Sequence, residues 1–179
     1  MEQSVIIAGF GGQGVMLIGK TLGYAASHEG MEVTFYPSYG AEMRGGTANC
    51  TVVVSDEAIG APLREEIDTL IAMNEPSYRR FAKAIQPGGA LLLNSSLSEV
   101  VPEIPEVKVY CVPVNDIAVE LGNVQMANNV MLGAYIGATK VVSPEAIEGI
   151  LRKNFAQKPA VAEKNIAAFR AGVAAVEAD

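Results

Sequence analysis

Short apolar runs alternate with longer segments of helical periodicity along this chain. Residues 5–8 form a continuous apolar run that ends at Gly9, a pattern typical of a strand buried on both faces of a parallel sheet. Small and apolar residues then recur at helical spacing from residue 13 to residue 28, and Gly30 follows, which predicts a helix closed by a glycine. The chain therefore opens with a strand–turn–helix unit.

The same alternation continues along the rest of the chain. Further β-prone runs predict strands at 33–36, 47–54, 69–73, 90–93 and 107–112. A helix is expected from about Pro76, and later helices are expected at 115–121, 128–139, 144–153 and 161–178. Strands that alternate with helices indicate an α/β domain around a largely parallel sheet. Strand 47–54 follows strand 33–36 directly, which suggests one antiparallel element in a mixed sheet.

The composition is that of a single folded domain. The chain has 179 residues, of which 50% are hydrophobic and 18% charged, a balance that allows a packed core. Thirteen Lys and Arg against 20 Asp and Glu give a net charge of −7, which disfavours nonspecific nucleic-acid binding. No apolar run approaches the roughly 20 residues of a membrane span, and the acidic first residues are unlike a signal peptide. We expect one cytoplasmic domain over residues 1–179.

Residue types that carry chemistry are scarce. Cys50 and Cys111 are too few for a four-cysteine zinc site or an iron–sulfur cluster, and both lie in apolar runs that predict buried free thiols. The single histidine, His28, is expected on the surface near a helix C-terminus. H-E-x-x-H and G-x-S-x-G motifs are absent from the sequence. The sequence therefore indicates a ligand-contacting scaffold that lacks catalytic residues of its own.

Residues 9–14 match the G-x-G-x-x-G pattern between the first strand and the first helix. Glycines let a backbone approach a phosphate closely, and the free N–H groups of a helix N-terminus favour an anion. The alternative is structural: Gly9 and Gly11 make a tight turn, while Gly14 allows close packing of helix and strand. A conventional NAD site is disfavoured, because Glu32 lies at the wrong end of the second strand to hold the ribose. A P-loop is excluded, because no Lys-Ser/Thr follows Gly14.

A second glycine-rich loop, residues 38–47, follows the second strand at the same predicted edge of the sheet. Arg44 in this loop is suited to grip a phosphate or carboxylate with paired hydrogen bonds. The alternative is an ion pair of Arg44 with Glu42, or an interface at which the glycines permit close subunit contact. Asn128 opens a predicted helix and is a further candidate ligand contact.

Several segments together resemble the gamma subunit of 2-oxoacid:ferredoxin oxidoreductases. The resemblance extends from residue 5 to about residue 155 and is carried by residues 9–15, 37–49, 73–77, 88–96 and 128–134. The first two of these segments are specific in combination. The resemblance implies a single gamma domain with a three-layer α/β/α, Rossmann-like fold and a mostly parallel sheet.

Enzymes of this family oxidatively decarboxylate a 2-oxoacid to an acyl-CoA and CO₂, using thiamine diphosphate, coenzyme A and ferredoxin. The resemblance implies that thiamine diphosphate, magnesium and the iron–sulfur clusters lie on partner chains, namely alpha, beta and ferredoxin-like delta subunits. This chain would support assembly and help to bind coenzyme A. The sequence of residues 38–49 is most similar to that of 2-oxoglutarate enzymes, with 2-oxoisovalerate and pyruvate enzymes as close alternatives. A stand-alone dinucleotide-binding protein and a pure assembly module are the other hypotheses.

The resemblance also implies a set of contacts for this chain. The first glycine-rich turn would lie on the phosphates of coenzyme A through Gly11, Gly12, Gln13 and Gly14. Ligand or interface contacts near the catalytic cleft would come from Tyr39, Glu42, Arg44, Gly45, Gly46, Thr47 and Asn128. Catalytic and metal-ligating residues are not expected on this chain.

Overall fold

The computed structural model describes residues 1–39 and 47–177. Within these ranges the strands are β1 (Glu2–Phe10), β2 (Glu32–Tyr39), β3 (Thr47–Ser55), β4 (Ile67–Ala72), β5 (Ile85–Asn94) and β6 (Lys108–Val112). The α-helices are α1 (Val15–His28), α2 (Glu75–Phe81), α3 (Val114–Glu120), α4 (Ala127–Thr139), α5 (Pro144–Asn154) and α6 (Pro159–Glu177). None of the helices in the described ranges is both long and apolar enough to cross a membrane.

The six strands form one mixed sheet in the order β2-β3-β1-β4-β5-β6. Strand β3 is antiparallel to both of its neighbours, while β1, β4, β5 and β6 pair in parallel. The predicted antiparallel element is confirmed, and the seven residues from 40 to 46 are too few for the crossover connection that a parallel pair needs. The register sets Phe10 opposite Thr47 and Ala8 beside Ala72. The ends of β1 and β4 and the start of β3 therefore meet at one edge.

Helices cover the two faces of the sheet unequally. Alternate residues of β1 face opposite layers: Val5 and Ile7 pack with α1, α3, α4, α5 and α6, whereas Ile6 and Ala8 pack with α2. The α/β/α layering is confirmed, with these five helices on one face and the short α2 on the other. The larger layer holds most of the core and reaches the same edge as the glycine-rich turn.

Helices α4 and α6 touch backbone to backbone. A Cβ on Gly133 would lie 1.9 Å from the carbonyl oxygen of Phe169, and a Cβ on Gly172 would lie 1.8 Å from that of Val130. Such a crossing admits only glycine at both positions. It fixes the position of α4 and therefore of the asparagines at its start.

The prediction of two buried thiols is right for Cys50 and wrong for Cys111. Cys50 is fully buried, and its Sγ lies 3.7 Å from the carbonyl oxygen of Val15. Cys111 is exposed. The reason is its place on β6, an edge strand whose buried residues Tyr110 and Val112 face the opposite side from Cys111.

Candidate functional site

The glycine-rich turn leaves the N-terminus of α1 open. Gly11 and Gly12 are exposed after the end of β1, and Gly12 and Gly14 have φ of 93° and 75°, values that favour glycine. Gly14 is the N-cap of α1; among the residues that the structure describes no side chain caps the helix, and its first turn has no acidic residue. The first N–H groups of a helix have no acceptors within the helix. This 14-residue helix therefore presents its positive end to the sheet edge.

Gln13 fastens the turn to the sheet. Its Oε1 accepts hydrogen bonds from Phe10 N at 2.7 Å and from Asn74 Nδ2 at 2.8 Å, and its Nε2 donates to Met73 O at 3.2 Å. Its backbone N–H donates to Phe10 O. Gly9 makes room for this folded-back side chain, because a Cβ there would lie 2.7 Å from Gln13 Oε1. The polar atoms of Gln13 are thus largely engaged within the protein.

A chain of amides extends this support along the edge. Asn74 caps α2 by accepting a hydrogen bond from Ser77 N at 2.9 Å. Asn94, at the end of β5, donates to Met73 O at 3.0 Å and to Asn115 Oδ1 at 2.8 Å. Because the carbonyl of Met73 accepts from both Gln13 and Asn94, the ends of β1, β4 and β5 are joined by side-chain hydrogen bonds.

Asn128 meets the glycine-rich turn from the helical layer. Its Nδ2 lies 2.6 Å from the position that a Cβ on Gly14 would occupy. Its Oδ1 accepts a hydrogen bond from Asn129 N at 3.0 Å, and within the described residues its Nδ2 has no acceptor although the residue is only 9% exposed. Gly14 therefore packs closely against Asn128 of α4. The structural alternative had predicted close packing of the helix against a strand. An unused N–H₂ group lies beside the open start of α1.

A positive side chain that sequence reasoning missed lies near the same edge. Arg80 of α2 donates from Nη1 to Thr47 Oγ1 at 3.3 Å, and Thr47 pairs with Phe10 in the sheet. The preceding Arg79 is paired with Glu75 at 2.6 Å, and this ion pair lowers the pKa of the Glu75 carboxyl. Arg80 could have been predicted from the sequence, because α2 directly follows β4. That position brings the side chains of α2 to the ligand-facing edge of the sheet.

Part of the predicted site lies outside the described residues. Glu42, Arg44, Gly45 and Gly46 belong to the segment 40–46, and only the backbone of Tyr39 is described. Their predicted contacts with ligand or interface stay predictions. In the ranges 1–39 and 47–177, no group of three or more His, Cys, Asp or Glu side chains is arranged to hold a metal ion.

A cleft that the sequence did not predict opens beside Asn128, with a volume of about 790 Å³. We call it the α1–α6 cleft. It lies between α1, residues 121–126, the start of α4, the end of α5 and the start of α6. Its lining includes Leu17, Lys20, Tyr24, Leu121, Asn128, Asn129, Asn154, Phe155, Val161, Lys164 and Asn165.

Comparison with known proteins identifies related sequences. Residues 4–175 match the family model described as Pyruvate ferredoxin/flavodoxin oxidoreductase. The chain is 39% identical over 173 residues to the ketoisovalerate oxidoreductase subunit VorA of Methanothermobacter thermautotrophicus, covering 96% of this chain and 36% of that relative. It is 37% identical over 179 residues to the 2-oxoglutarate synthase subunit KorC of Methanothermobacter marburgensis, covering 96% of this chain and 95% of that relative. The chain thus spans little more than a third of the VorA relative and nearly all of the KorC relative.

Two solved structures share the fold. The keto/oxoacid ferredoxin oxidoreductase gamma subunit from Geobacter sulfurreducens has a TM-score of 0.85 at 30% identity, with 99% of each chain covered. The 2-oxoglutarate:ferredoxin oxidoreductase from Magnetococcus marinus, solved with 2-oxoglutarate, coenzyme A and succinyl-CoA bound, has a TM-score of 0.91 at 28% identity. In that second comparison 99% of this chain but only 31% of the other chain is covered.

Proposed function

The chain belongs to the pyruvate ferredoxin/flavodoxin oxidoreductase family, as its motifs predicted, and we propose that it is the gamma subunit of a 2-oxoacid:ferredoxin oxidoreductase. The complex would oxidatively decarboxylate a 2-oxoacid to an acyl-CoA and CO₂ and reduce ferredoxin. The similarity to the KorC relative over almost its full length supports this role. In the complex the chain supports assembly and contributes to the coenzyme A site, and by itself it is inactive.

The preferred substrate in this proposal is 2-oxoglutarate. It is supported by the similarity to 2-oxoglutarate synthase subunits and to the Magnetococcus marinus 2-oxoglutarate enzyme. A 2-oxoisovalerate enzyme is the second candidate, because the VorA relative is 39% identical. That relative is much longer than this chain, so the match concerns only a part of it.

The observation that carries the coenzyme A proposal is the pairing of an uncapped helix start with an unused amide donor. Within the residues that the structure describes, no side chain caps the N-terminus of α1, and Asn128 Nδ2 beside Gly14 has no acceptor. Both features suit an anionic oxygen, and a phosphate bound there would satisfy N–H groups that are otherwise left to water. These residues fit the diphosphate portion of coenzyme A.

Each group at this edge then has a distinct task. The exposed Gly11 and Gly12 let the phosphates approach the backbone, while the N–H groups of the first turn of α1 and Asn128 Nδ2 donate to them. Gln13 holds the turn in place through its bonds to Phe10, Asn74 and Met73. When bound, coenzyme A supplies the thiol that accepts the acyl group.

The redox chemistry in this proposal belongs to the partner chains. We assign thiamine diphosphate, magnesium and the iron–sulfur clusters to the alpha, beta and delta subunits, with ferredoxin as the electron acceptor. The two isolated cysteines of this sequence and its lack of a G-D-G motif support the assignment. We place the complex in the cytoplasm, where free thiols such as Cys50 and Cys111 persist.

Reconstitution with and without this chain tests the proposed function. The chain is co-expressed with the subunits encoded beside it, and the purified complex is assayed for coenzyme A-dependent reduction of a viologen dye by a panel of 2-oxoacids. We expect the highest kcat/KM with 2-oxoglutarate and loss of activity when the chain is omitted. An inactive set of co-purified proteins, or full activity without the chain, contradicts the proposal. Micromolar NAD(P) binding by the chain alone would instead favour a stand-alone dinucleotide-binding protein.

A further inference from the structure

The α1–α6 cleft is the central part of a longer groove. A hollow of about 580 Å³ shares Tyr24 and Asn154 with it, and one of about 300 Å³ shares Asn154, Phe155 and Val161. The groove follows the outer side of α1 from Leu17 to His28. At about 1.5 Å per residue this distance is about 16 Å, or three turns of a helix.

Several exposed apolar side chains line the walls of this groove. Leu17 is 58% exposed and Tyr24 is 62% exposed on α1, and they face Leu121 at 40% and Val161 at 37%. Scattered exposed apolar residues are ordinary, but a contiguous group lining one groove marks an interaction surface. Two amide side chains on the floor of the groove are hydrogen-bonded within the protein. Asn129 Nδ2 donates to Asn165 Oδ1 at 2.6 Å, and Asn165 Nδ2 donates to Val161 O at 2.8 Å.

The charge around the groove is opposite to that of the whole chain. The linings contain Lys20, Lys164, Lys153, Lys158 and His28, and no Asp or Glu. Within the described residues none of these four lysines pairs with a carboxylate. This cationic groove lies on a chain whose net charge is −7, so it discriminates in favour of an acidic occupant.

Two carboxylates of α5 and α6, those of Glu148 and Glu163, are engaged in ion pairs. Glu163 is held by Arg152 at 3.4 Å, and Glu148 accepts two hydrogen bonds from Arg170 at 2.7 and 2.8 Å. The Arg170 guanidinium holds the pKa of Glu148 below its usual range. These ion pairs neutralise the Glu148 and Glu163 carboxylates, whereas among the described residues the groove lysines have no carboxylate partner.

We propose that this groove is the docking site of an acidic amphipathic helix from another polypeptide of the complex. A helix laid in the groove would bury its apolar side on Leu17, Tyr24 and Val161 and set its carboxylates against Lys20 and Lys164. The lysines lie along the rim, and the groove follows α1 for about three turns, which suits a helix better than a compact anion. The inference rests on the proposed function only in taking the partner to be a subunit of that complex.

Zero-length cross-linking of the reconstituted complex tests this docking. A carbodiimide joins lysine amines directly to carboxylates, and the products are identified by mass spectrometry. We expect Lys20 and Lys164 to link to Asp or Glu in one partner segment whose apolar residues recur at three- and four-residue spacing. The double variant Lys20→Glu/Lys164→Glu should bind its partner at least about tenfold more weakly, a loss of about 1.4 kcal/mol, and with less dependence on salt.

The control is Lys83→Glu/Lys108→Glu, which makes the same charge change at exposed lysines outside the groove. It should bind like the parent, and unchanged melting temperatures show that both double variants fold. The docking site is overturned if the groove variant binds its partner like the parent and Lys20 and Lys164 of the parent give no cross-links. That outcome leaves the proposed function intact. Protection of Lys20 and Lys164 by ADP in the isolated chain, without partner cross-links, also overturns the docking site. A parent chain that assembles with no subunit contradicts both proposals.

Discussion

At the scale of single residues, amide side chains organise the candidate site. Gln13 reaches back to Phe10 and across to Met73, and Asn128 arrives at Gly14 from the helical layer. Glycine spacing is a local signal, so the sequence predicted the turn and with it Gln13. Asn128 was a candidate as the start of a predicted helix. The sequence did not predict the hydrogen bond of Gln13 to Met73, directly after β4, because that contact joins residues 60 positions apart. Our revised interpretation gives Gln13 a positioning task and leaves the phosphate to backbone N–H groups and Asn128.

The two cysteines should differ sharply in reactivity. Burial raises the pKa of the Cys50 thiol to about 12, and the thiolate is the reactive form. We expect a maleimide to modify Cys111 in the folded chain near neutral pH and to reach Cys50 only after unfolding. Intact-mass analysis measures the count of labels, and Cys111→Ser should abolish labelling of the folded chain. Equal labelling of both thiols under native conditions would contradict the burial of Cys50.

At the scale of elements, apolar periodicity located nearly every strand and helix, because each element buries a face. The clearest difference is β5, predicted at 90–93 but observed from Ile85 to Asn94. The Pro-Gly-Gly segment, residues 87–89, precedes the predicted strand but lies within the observed one. The pairing with β4 shifts between Ile67 and Thr69, and Gly88 has φ of 84°. An irregularity inside a strand and a turn have the same glycine signal, so only the structure distinguishes them.

The backbone contact between α4 and α6 gives a prediction for glycine in helices. Gly133→Ala should lower the free energy of unfolding by at least about 3 kcal/mol, since its Cβ would lie 1.9 Å from the Phe169 carbonyl oxygen. Gly149→Ala in α5 is the matched control, because its Cβ would meet nothing within 4 Å. This control should raise the free energy of unfolding by about 0.5–1 kcal/mol. Urea unfolding compares the two, and equal effects would contradict the described crossing.

At the scale of the whole molecule, topology brings distant segments to one edge. The parallel register of β1, β4 and β5 collects the turn, Asn74 and Asn94, and α4 adds Asn128. From sequence the carboxyl edge of the sheet could be predicted as the ligand side. The contact of α4 with the turn could not be predicted, because it depends on how five helices pack on one face. The α1–α6 cleft could not be predicted either, because it also depends on how the helices pack. Leu17 and Tyr24 are exposed in it, but their spacing is that of ordinary core-facing residues of a helix.

The most direct test of the account is the affinity of the assembled complex for coenzyme A when Asn128 becomes aspartate. Asn128→Asp keeps the acceptor that Asn129 N uses but replaces the unused donor with a negative charge beside the phosphate. Removing a charge-assisted hydrogen bond and adding repulsion should raise the KM for coenzyme A at least about tenfold. The KM for the 2-oxoacid should stay unchanged, and an acid near two helix N-termini should not lower the melting temperature.

Gln3→Glu is the control, since it makes the same change of charge at the opposite end of β1. It should leave the KM for coenzyme A at the parent value. We expect a higher KM for coenzyme A in Asn128→Asp alone, with the fold intact. A folded, assembled Asn128→Asp complex that uses coenzyme A like the parent would contradict the claim that the start of α1 and Asn128 hold its phosphates.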